Sequence, residues 1–506
     1  MKKLFVYISC LFSFGLIHAQ DLTDALRYSS GETQGTARFK ALSGAFGALG
    51  GDISGVSINP AGAAIFNRSH GAISANNNTV SKDAEFGGLM NNRTVNNFDL
   101  HQLGAAFVFR NNNNNSPWKK FVVSLFYEQL QDYNARFFAA GTTNNSISSY
   151  FFQNANGLEL GNISALPGET PTQAYADIGS TYGYRHQQAF LGYDSYILEP
   201  VSNDDDNTAY TSNIASGSFD QEYDYLTEGY NGKFSANLAL QYNESIYLGL
   251  NINSHFIDFR KSTYLIEENT NAGSTINRVH FENELYTTGE GLSFQLGSIV
   301  KLSDDIRLGL SYATPTWLTL REETTQYLST FDNTANENYV VNPSIVNVFP
   351  DYKLRTPAKL TGSLAYIVGK SGLISFDYSR KNYGNTRFNT GDNQLDNELN
   401  NDISNNFKAA NSYKIGAELR HKKFSFRGGY RLEESPYKNT ATVGDLNGFS
   451  LGLGYNFGNS KLDLAYENTE QKRTQQLYQS GTLDAVKNLV FIPKHNTEII
   501  PLALQM

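Results

Sequence analysis

Alternating apolar and polar residues dominate this chain after about residue 68. In Phe449–Phe457 every second residue is a large apolar one, and small or polar residues lie between them. Successive side chains of a β-strand point to opposite faces, so the alternation predicts strands with one apolar face. The segments with this pattern are 69–79, 97–110, 118–137, 231–243, 245–264, 279–301, 305–325, 351–369, 371–383, 405–420, 422–432, 445–457, 459–470 and 494–505.

The links between these segments alternate between short and long. Turns of a few residues, such as 243–245 and 303–305, alternate with long polar connections. Outer-membrane barrels have this asymmetry, with tight periplasmic turns and long external loops. We therefore predict an all-β fold: a transmembrane antiparallel β-barrel of about 14 strands. The connections predicted to face outward are 80–96, 138–230 (the largest, long enough to form a cap), 265–278, 326–350, 384–404, 433–444 and 471–493.

The first twenty residues have the pattern of an export signal. Lys2 and Lys3 precede the apolar stretch 4–17, which is too short to span a bilayer, and cleavage is expected after Ala19. Cys10, the only cysteine, lies in this segment, so disulfides do not stabilise the mature protein. Removal of the two lysines moves the net charge from −9 to −11.

Composition narrows the function classes. An acidic chain is a poor nucleic-acid binder, because phosphate contacts need clustered Lys and Arg. Beyond the signal, no run approaches the roughly 18 apolar residues of a helical span. A mean hydropathy of −0.41 with 31 Tyr, 33 Phe and 43 Gly suits a barrel, in which only every second strand residue meets lipid.

Residues 21–68 precede the barrel, predicted at 69–506, and lack the two-residue alternation. Small residues dominate 41–52 and 57–62, so the backbone there can pack closely against other elements. A segment of this size cannot build a core of its own. We therefore expect 21–68 to be a plug inside the barrel lumen.

Several segments resemble a known family. The stretch 38–66, with Gly-Gly-Asp and Asn-Pro-Ala-Gly, resembles the N-terminal hatch of the outer-membrane long-chain fatty-acid transporter (FadL-like) family. The segments 354–360, 428–431 and 435–437 are similar to segments of the same family. The resemblance implies a fourteen-stranded barrel plugged by its N-terminal segment. Hydrophobic molecules would be captured outside and released sideways into the membrane.

The resemblance places a hatch motif on Asn59, Pro60 and Ala61, followed by Gly62. A gating role is one interpretation of these residues. Asn-Pro is also a common turn opener, so a purely structural turn before the first strand is the other.

A second candidate site lies in the segment 118–137. Its apolar parity is interrupted at Gln129 and Gln131 and resumes at Tyr133. A bulge or kink there could breach the barrel wall and form a lateral exit. Alternatively, the strand has already left the bilayer at Gln129, since about 9–11 residues suffice to cross.

Other motifs do not predict a cofactor, a metal or an enzyme. The glycines of 44–51 are not preceded by a strand, and those of 362–371 have the wrong spacing for a phosphate loop. The acidic run 204–206 lacks the glycine and terminal glutamate of a calcium loop. The eight histidines have no metal-ligand spacing.

We expect a monomeric protein of the Gram-negative outer membrane that takes up hydrophobic small molecules, with long-chain fatty acids as the leading candidate. Its partners would be that ligand, membrane lipid and lipopolysaccharide. A diffusion porin for polar solutes and a surface adhesin or structural barrel are the alternatives. The last strand departs from the family pattern, because Pro501 removes a ladder donor and the chain ends in Met506.

Overall fold

The structure, a computed structural model, describes residues 22–113 and 115–478 in full and residues 489–505 as backbone. The signal predicted at 1–20 lies outside the described residues. The strands are β1 His70–Phe86, β2 Leu89–Arg110, β3 Trp118–Asp132, β4 Ala135–Thr143, β5 Leu198–Pro200, β6 Tyr210–Ser212, β7 Phe219–Tyr242, β8 Ile246–Glu268, β9 Ile276–Lys301, β10 Ile306–Ala313, β11 Trp317–Asp332, β12 Glu337–Val341, β13 Asn347–Val348, β14 Tyr352–Arg355, β15 Lys359–Val368, β16 Gly372–Asn382, β17 Arg387–Asn389, β18 Ala409–His421, β19 Phe424–Glu433, β20 Val443–Asn456, β21 Lys461–Gln476 and β22 Leu489–Gln505.

Antiparallel pairing joins most of these strands into a closed ring, whereas β5 and β6 form a separate two-stranded sheet. The order around it is β1, β2, β3 with β4, β7, β8, β9, β10 with β11, β15 with β14, β16, β18, β19, β20, β21 and β22. β22 pairs with β21 on one side and with β1 on the other, which closes the ring. The prediction of an antiparallel barrel of about 14 strands is confirmed.

The strands differ from their predicted bounds in two ways. Most are longer: the predicted connection 80–96 is the tip of a continuous β1–β2 hairpin that turns at Gly87 and Gly88. Outside the bilayer both faces of a strand meet water, so the ladder continues while the alternation disappears. Three predicted strands, 118–137, 305–325 and 351–369, are each divided by a short break.

The outer surface of the barrel is apolar, as the alternation predicted. In β20, Phe449, Leu451 and Leu453 are 45%, 56% and 42% exposed, whereas Ser450 between them is 1% exposed. Inward-facing residues are mostly polar or small. None of the described helices is long and apolar enough to cross a membrane.

Helices lie in three places. In the lumen are α1 Leu22–Ser29, α2 Ala37–Ala41, α3 Ile53–Val56 and a 3₁₀ helix, Pro60–Ile65. Between β4 and β7 are α4 Ser148–Ala155, α5 Pro171–Tyr182 and α6 Tyr184–Asp194, with a 3₁₀ turn at Leu160–Asn162. α7 Asn393–Asn406 follows β17, and a 3₁₀ turn at Tyr383–Asn385 precedes it.

Helices α4 to α6 form a cap over the outer mouth. Thr170 and Gln173 form a capping box at the start of α5, with Pro171 at its first position. Buried apolar residues of the cap pack against the outer ends of β1, β4, β7, β8, β9 and β11. In α6, burial raises the pKa of Tyr184 to about 12, so its hydroxyl stays neutral where it accepts a hydrogen bond from Gln326.

Candidate functional site

The plug, which we define as residues 22–66, crosses the barrel lumen. On one side its backbone carbonyls accept hydrogen bonds from inward-facing polar side chains of β7 to β10. These bonds are Asn237 Nδ2 to Pro60 O (3.1 Å), Asn251 Nδ2 to Val56 O (3.0 Å), Gln295 Nε2 to Ile58 O (2.8 Å) and Ser311 Oγ to Ile58 O (2.7 Å). The inner wall thus satisfies backbone groups that the irregular plug cannot pair by itself.

Asn59 joins the plug to the wall. Its side-chain amide donates to Gly47 O within the plug (2.7 Å) and to Ser298 O of β9 (2.9 Å). Its Oδ1 accepts from Ala61 N (3.1 Å) and so caps the 3₁₀ helix that begins at Pro60. The turn expected from Asn-Pro is therefore present, and the same side chain also bridges two elements.

The Gly-Gly-Asp motif folds the plug upon itself. Asp52 is completely buried, caps α3 by accepting from Ser54 N (3.0 Å), and accepts from Thr36 Oγ1 (2.8 Å). Gly50 has a φ of +61°, and a Cβ there would lie 2.8 Å from the backbone of Gly62. The motif therefore brings distant parts of the plug into direct contact.

Glycines on the inner face of half of the strands of the ring make room for the plug. A Cβ on Gly249 would lie 2.2 Å from Pro60 C, and one on Gly309 would lie 2.2 Å from Gly47 O. Contacts this close cannot occur without displacing the backbone of the plug. The inner-wall glycines where a Cβ would come within 3.0 Å of the plug are Gly104, Gly249, Gly297, Gly309, Gly416, Gly429 and Gly452.

On the opposite side, charged residues hold the plug. Arg38 Nε lies 3.0 Å from Glu418 Oε2 of β18. Arg427 of β19 pairs with Glu418 and with Asp463 of β21, both at 2.6 Å. All four side chains have little contact with water, so removing one partner would leave a buried charge uncompensated.

Two further contacts secure this side. Asp377 of β16 accepts from the backbone amides of Phe46 (3.0 Å) and Gly47 (2.9 Å). The segment 428–431, which resembles a family segment, contributes Arg431, a donor to Thr33 of the plug. The plug is thus bound to strands on both sides of the lumen.

The structure places a β-bulge at the second candidate site. Along the β3–β7 ladder, Gln129 pairs with Gly232 and Gln131 pairs with Asn231, which leaves Leu130 as an extra residue. β3 ends shortly above it, at Asp132. Leu130 O accepts from Glu32 N of the plug (2.9 Å), so the bulge and the plug are in direct contact.

Above this level, the described residues show no backbone ladder between β2 and β3. Their ladder ends at the pair Gln102–Glu128, and β4 above pairs with β7 alone. Among the described residues, side-chain hydrogen bonds span the seam between β2 and β3 beside the bulge. Asp132 Oδ2 accepts from Asn78 Nδ2 (3.3 Å) and Asn97 Nδ2 (3.2 Å). Side-chain hydrogen bonds exchange more readily than a backbone ladder, so the wall should separate more easily at this seam than along a continuous ladder.

A large apolar cluster lies in the lumen around α1. Ala25 and Leu26 of α1 are buried among wall residues that point inward, which is unusual because barrel interiors are generally polar. α7 covers the cluster through Leu395, Leu399 and Ile403. The wall residues are Tyr133, Ile257, Phe259, Leu285, Leu318, Leu320, Tyr352, Leu354 and Phe388.

Basic residues lie at the C-terminal end of α1. Lys359 and Lys381 stand opposite each other on β15 and β16, and Lys381 donates to Ser29 O. Lys414 Nζ lies 3.7 Å from Glu433, which also interacts electrostatically with Arg431, Lys359 and Lys381. Within the described residues Lys359 makes no ion pair. We call Lys359, Lys381 and Lys414 the lysine cluster.

Sequence reasoning did not find these groups as a site. Lys359 belongs to the family-like segment 354–360, but the segment does not show which residues of the neighbouring strand and of the plug lie beside it. Among the described residues, no group of three or more His, Cys, Asp or Glu side chains could hold a metal.

Comparison with known proteins identifies relatives. The family model described as "Outer membrane protein transport protein (OMPP1/FadL/TodX)" matches residues 201–504, more than half of the chain. A FadL homologue of Pseudomonas aeruginosa is 10% identical with a TM-score of 0.54, over 94% of this chain and 99% of that one. The toluene transporter TodX of Pseudomonas putida is 11% identical with a TM-score of 0.50, over 94% and 98%. No curated protein matches significantly.

Proposed function

This chain belongs to the OMPP1/FadL/TodX family of outer-membrane transport proteins, which carry hydrophobic compounds, and we propose that its own cargo is a long-chain fatty acid. The observation that carries the proposal is the position of the lysine cluster at one end of the apolar cluster around α1. A fatty acid has an apolar tail and an anionic carboxylate, so its binding site needs an apolar region with positive charge beside it.

The apolar cluster supports the tail. At present α1 fills it with Leu26 and Ala25, and its eight residues span about 12 Å. An acyl chain that displaced this short helix would recover about 0.8 kcal/mol for each buried CH₂. Water cannot form hydrogen bonds with these apolar side chains, so an apolar group is the favourable occupant of the cluster.

The lysine cluster supports the head. Lys381 already binds a carbonyl oxygen at the end of α1, where the helix dipole places partial negative charge. A carboxylate at the same point carries a full charge. Two lysines opposite each other on neighbouring strands repel, and the nearby Glu433 is shared with Lys414 and Arg431, so a bound carboxylate would reduce the repulsion that is left.

We further propose how the cargo moves. In this scheme 21–68 acts as a gate, with Asn59, Pro60, Ala61 and Gly62 as the fixed turn on which its N-terminal part moves. The cargo leaves sideways beside Gln129 and Gln131, through the seam between β2 and β3. The contact between Glu32 and Leu130 supports a link between the gate and this exit, because displacement of α1 would pull on the bulge.

Binding of oleate tests the cargo. We expect Lys359→Gln combined with Lys381→Gln to weaken oleate binding about ten-fold or more, since a hydrogen bond to a charged group contributes about 1.5–3 kcal/mol. Oleyl alcohol, which has the same tail and no charge, should bind the variant and the parent equally. Displacement of a fluorescent fatty acid from detergent-solubilised protein measures both.

Lys353→Gln is the matched control, because Lys353 lies on β14 and is exposed outside the lumen. Heat-modifiable migration in gels would verify that each variant has folded. Equal affinity of the double variant and the parent for oleate would refute the role of the lysine cluster. Binding of toluene but not oleate by the parent would make an aromatic hydrocarbon the cargo.

A further inference from the structure

A shallow apolar depression lies on the lipid-facing surface at the short-turn end of β16, β18 and β19. It has a volume of about 420 Å³. Ala417 and Gly428 face each other at its floor, where larger side chains would fill it. Ile374, Leu419 and Phe426, each at least half exposed, form its sides.

Exposed lysines lie in the two turns next to this depression. The turn 369–372 carries Lys370, and the turn after β18 carries Lys422 and Lys423. A hydrogen bond from Arg420 N to Ser371 O (2.7 Å) joins the two turns. Within the described residues, none of the three lysines makes an ion pair.

The nearby carboxylate does not neutralise them. Glu418 is buried and already pairs with Arg38, Arg420 and Arg427. Neither turn contains an acidic residue. Three unneutralised positive charges therefore lie where the apolar surface ends.

The far end of the barrel has the opposite arrangement. There exposed arginines are paired with carboxylates across neighbouring strands: Arg136 with Asp224, Arg278 with Glu268 and Arg321 with Asp351. The whole chain has a net charge of −9, so the excess of positive charge beside this depression is not a general property of the protein surface.

We infer that the depression and its three lysines form a binding site for an anionic phospholipid of the periplasmic leaflet. One acyl chain lies over Ala417 and Gly428, and the phosphate lies between Lys370, Lys422 and Lys423. The short turns mark the periplasmic side, where phospholipid headgroups meet the barrel. This site is separate from the lumen and does not depend on the identity of the cargo.

Native mass spectrometry of the full mature protein, titrated with phosphatidylglycerol in detergent, tests the inference. We expect one tightly bound phosphatidylglycerol and much weaker binding of phosphatidylcholine. The variant K370Q/K422Q/K423Q should bind phosphatidylglycerol about a hundred-fold more weakly, since each lysine near an anionic surface contributes about 1 kcal/mol. Gly428→Leu, which fills the floor, should also weaken binding while leaving the lysines in place.

The matched control is K353Q/K408Q/K438Q, which removes the same charge away from the depression. It should bind the lipid as the parent does. The inference is overturned if the lysine variant retains parental affinity, if the control loses as much, or if the parent does not distinguish the two lipids. Equal binding of glycerol phosphate, which has no acyl chain, would also overturn it.

Discussion

At the scale of single residues, Gly297 shows how the wall accommodates the plug. A Cβ on this inward-facing residue of β9 would lie 2.0 Å from Asn59 Oδ1 and 2.7 Å from Pro60 Cδ. Asn59 cannot rotate away without losing its bonds to Gly47 O and Ser298 O. One hydrogen atom in place of a methyl group thus allows this turn to contact the strand.

Gly297→Ala should therefore loosen the plug while the barrel still folds. We expect a measurable increase in the entry of small sugars into proteoliposomes. The free energy of unfolding should fall by about 1–3 kcal/mol, the usual cost of overpacking, and the protein should therefore unfold at a lower temperature. Liposome swelling and heat-modifiable migration measure the two effects.

Gly362→Ala is the control, because Gly362 lies in β15 and a Cβ there would meet nothing within 4 Å. If both variants behave like the parent, the contact with Gly297 does not hold the plug.

At the scale of elements, β3 differs from the other strands on its side of the ring. Its bulge at Leu130 and its end at Asp132 release it from β2, and β4 continues the ladder with β7 alone. The alternative interpretation, that the strand has merely left the bilayer at Gln129, explains the loss of alternation but not the contact between Leu130 and Glu32.

Deletion of Leu130 distinguishes the two interpretations. It would bring Gln129 and Gln131 into consecutive pairs with Gly232 and Asn231 and so remove the bulge. We expect uptake of labelled oleate by cells to fall at least ten-fold while oleate binding by the purified protein persists.

Deletion of Lys119 is the matched control, since it removes a second register shift of the same ladder at the short-turn end. Uptake at the parental rate after deletion of Leu130 would make the bulge purely structural.

At the scale of the whole molecule, the plug and the cap together decide what can pass. The plug contacts strands on both sides of the lumen, and the cap packs against the outer ends of six strands. This arrangement does not suit a porin, because polar solutes need a continuous water-filled bore.

We expect the mature protein to cause almost no swelling of liposomes in small sugars. A variant without residues 22–66 should cause rapid swelling, because the lumen would no longer be filled by the plug. Its barrel should still form, because the strands pair with one another and not with the plug. Heat-modifiable migration of the truncated protein would show that the barrel is intact. Rapid swelling with the intact protein would support the porin alternative instead.

The sequence predicted the barrel well, because contact with lipid requires an apolar residue at every second position of a membrane-spanning strand. Phe449 and Leu451 were expected outside, and both are. Where lipid is absent the signal is lost, so the upper halves of β1 and β2 were assigned to a connection. α7 was not predicted because its sequence is rich in Asn and only three of its residues are buried.

The site was less accessible to sequence reasoning. Lys359 and Lys381 meet through strand register, and Ser29 reaches them from more than 300 positions away in the chain. Alternation fixes which face a residue occupies but not the residue opposite it. Gln129 and Gln131 were singled out because polar residues interrupt the apolar alternation within one strand, which is a local signal.

The ring of wall glycines also limits how this protein can work. It fits residues 41–62 so closely that this part of the plug could move only if the wall strands shifted. Residues 22–36, which we call the arm, are held instead by the apolar cluster around α1 and by polar contacts such as Lys414 Nζ to Thr33 Oγ1 (3.2 Å). A motor that extracted residues 41–62 would have to overcome all of these close contacts at once. We therefore expect only the arm to swing, and passage to run downhill on the concentration gradient of the cargo.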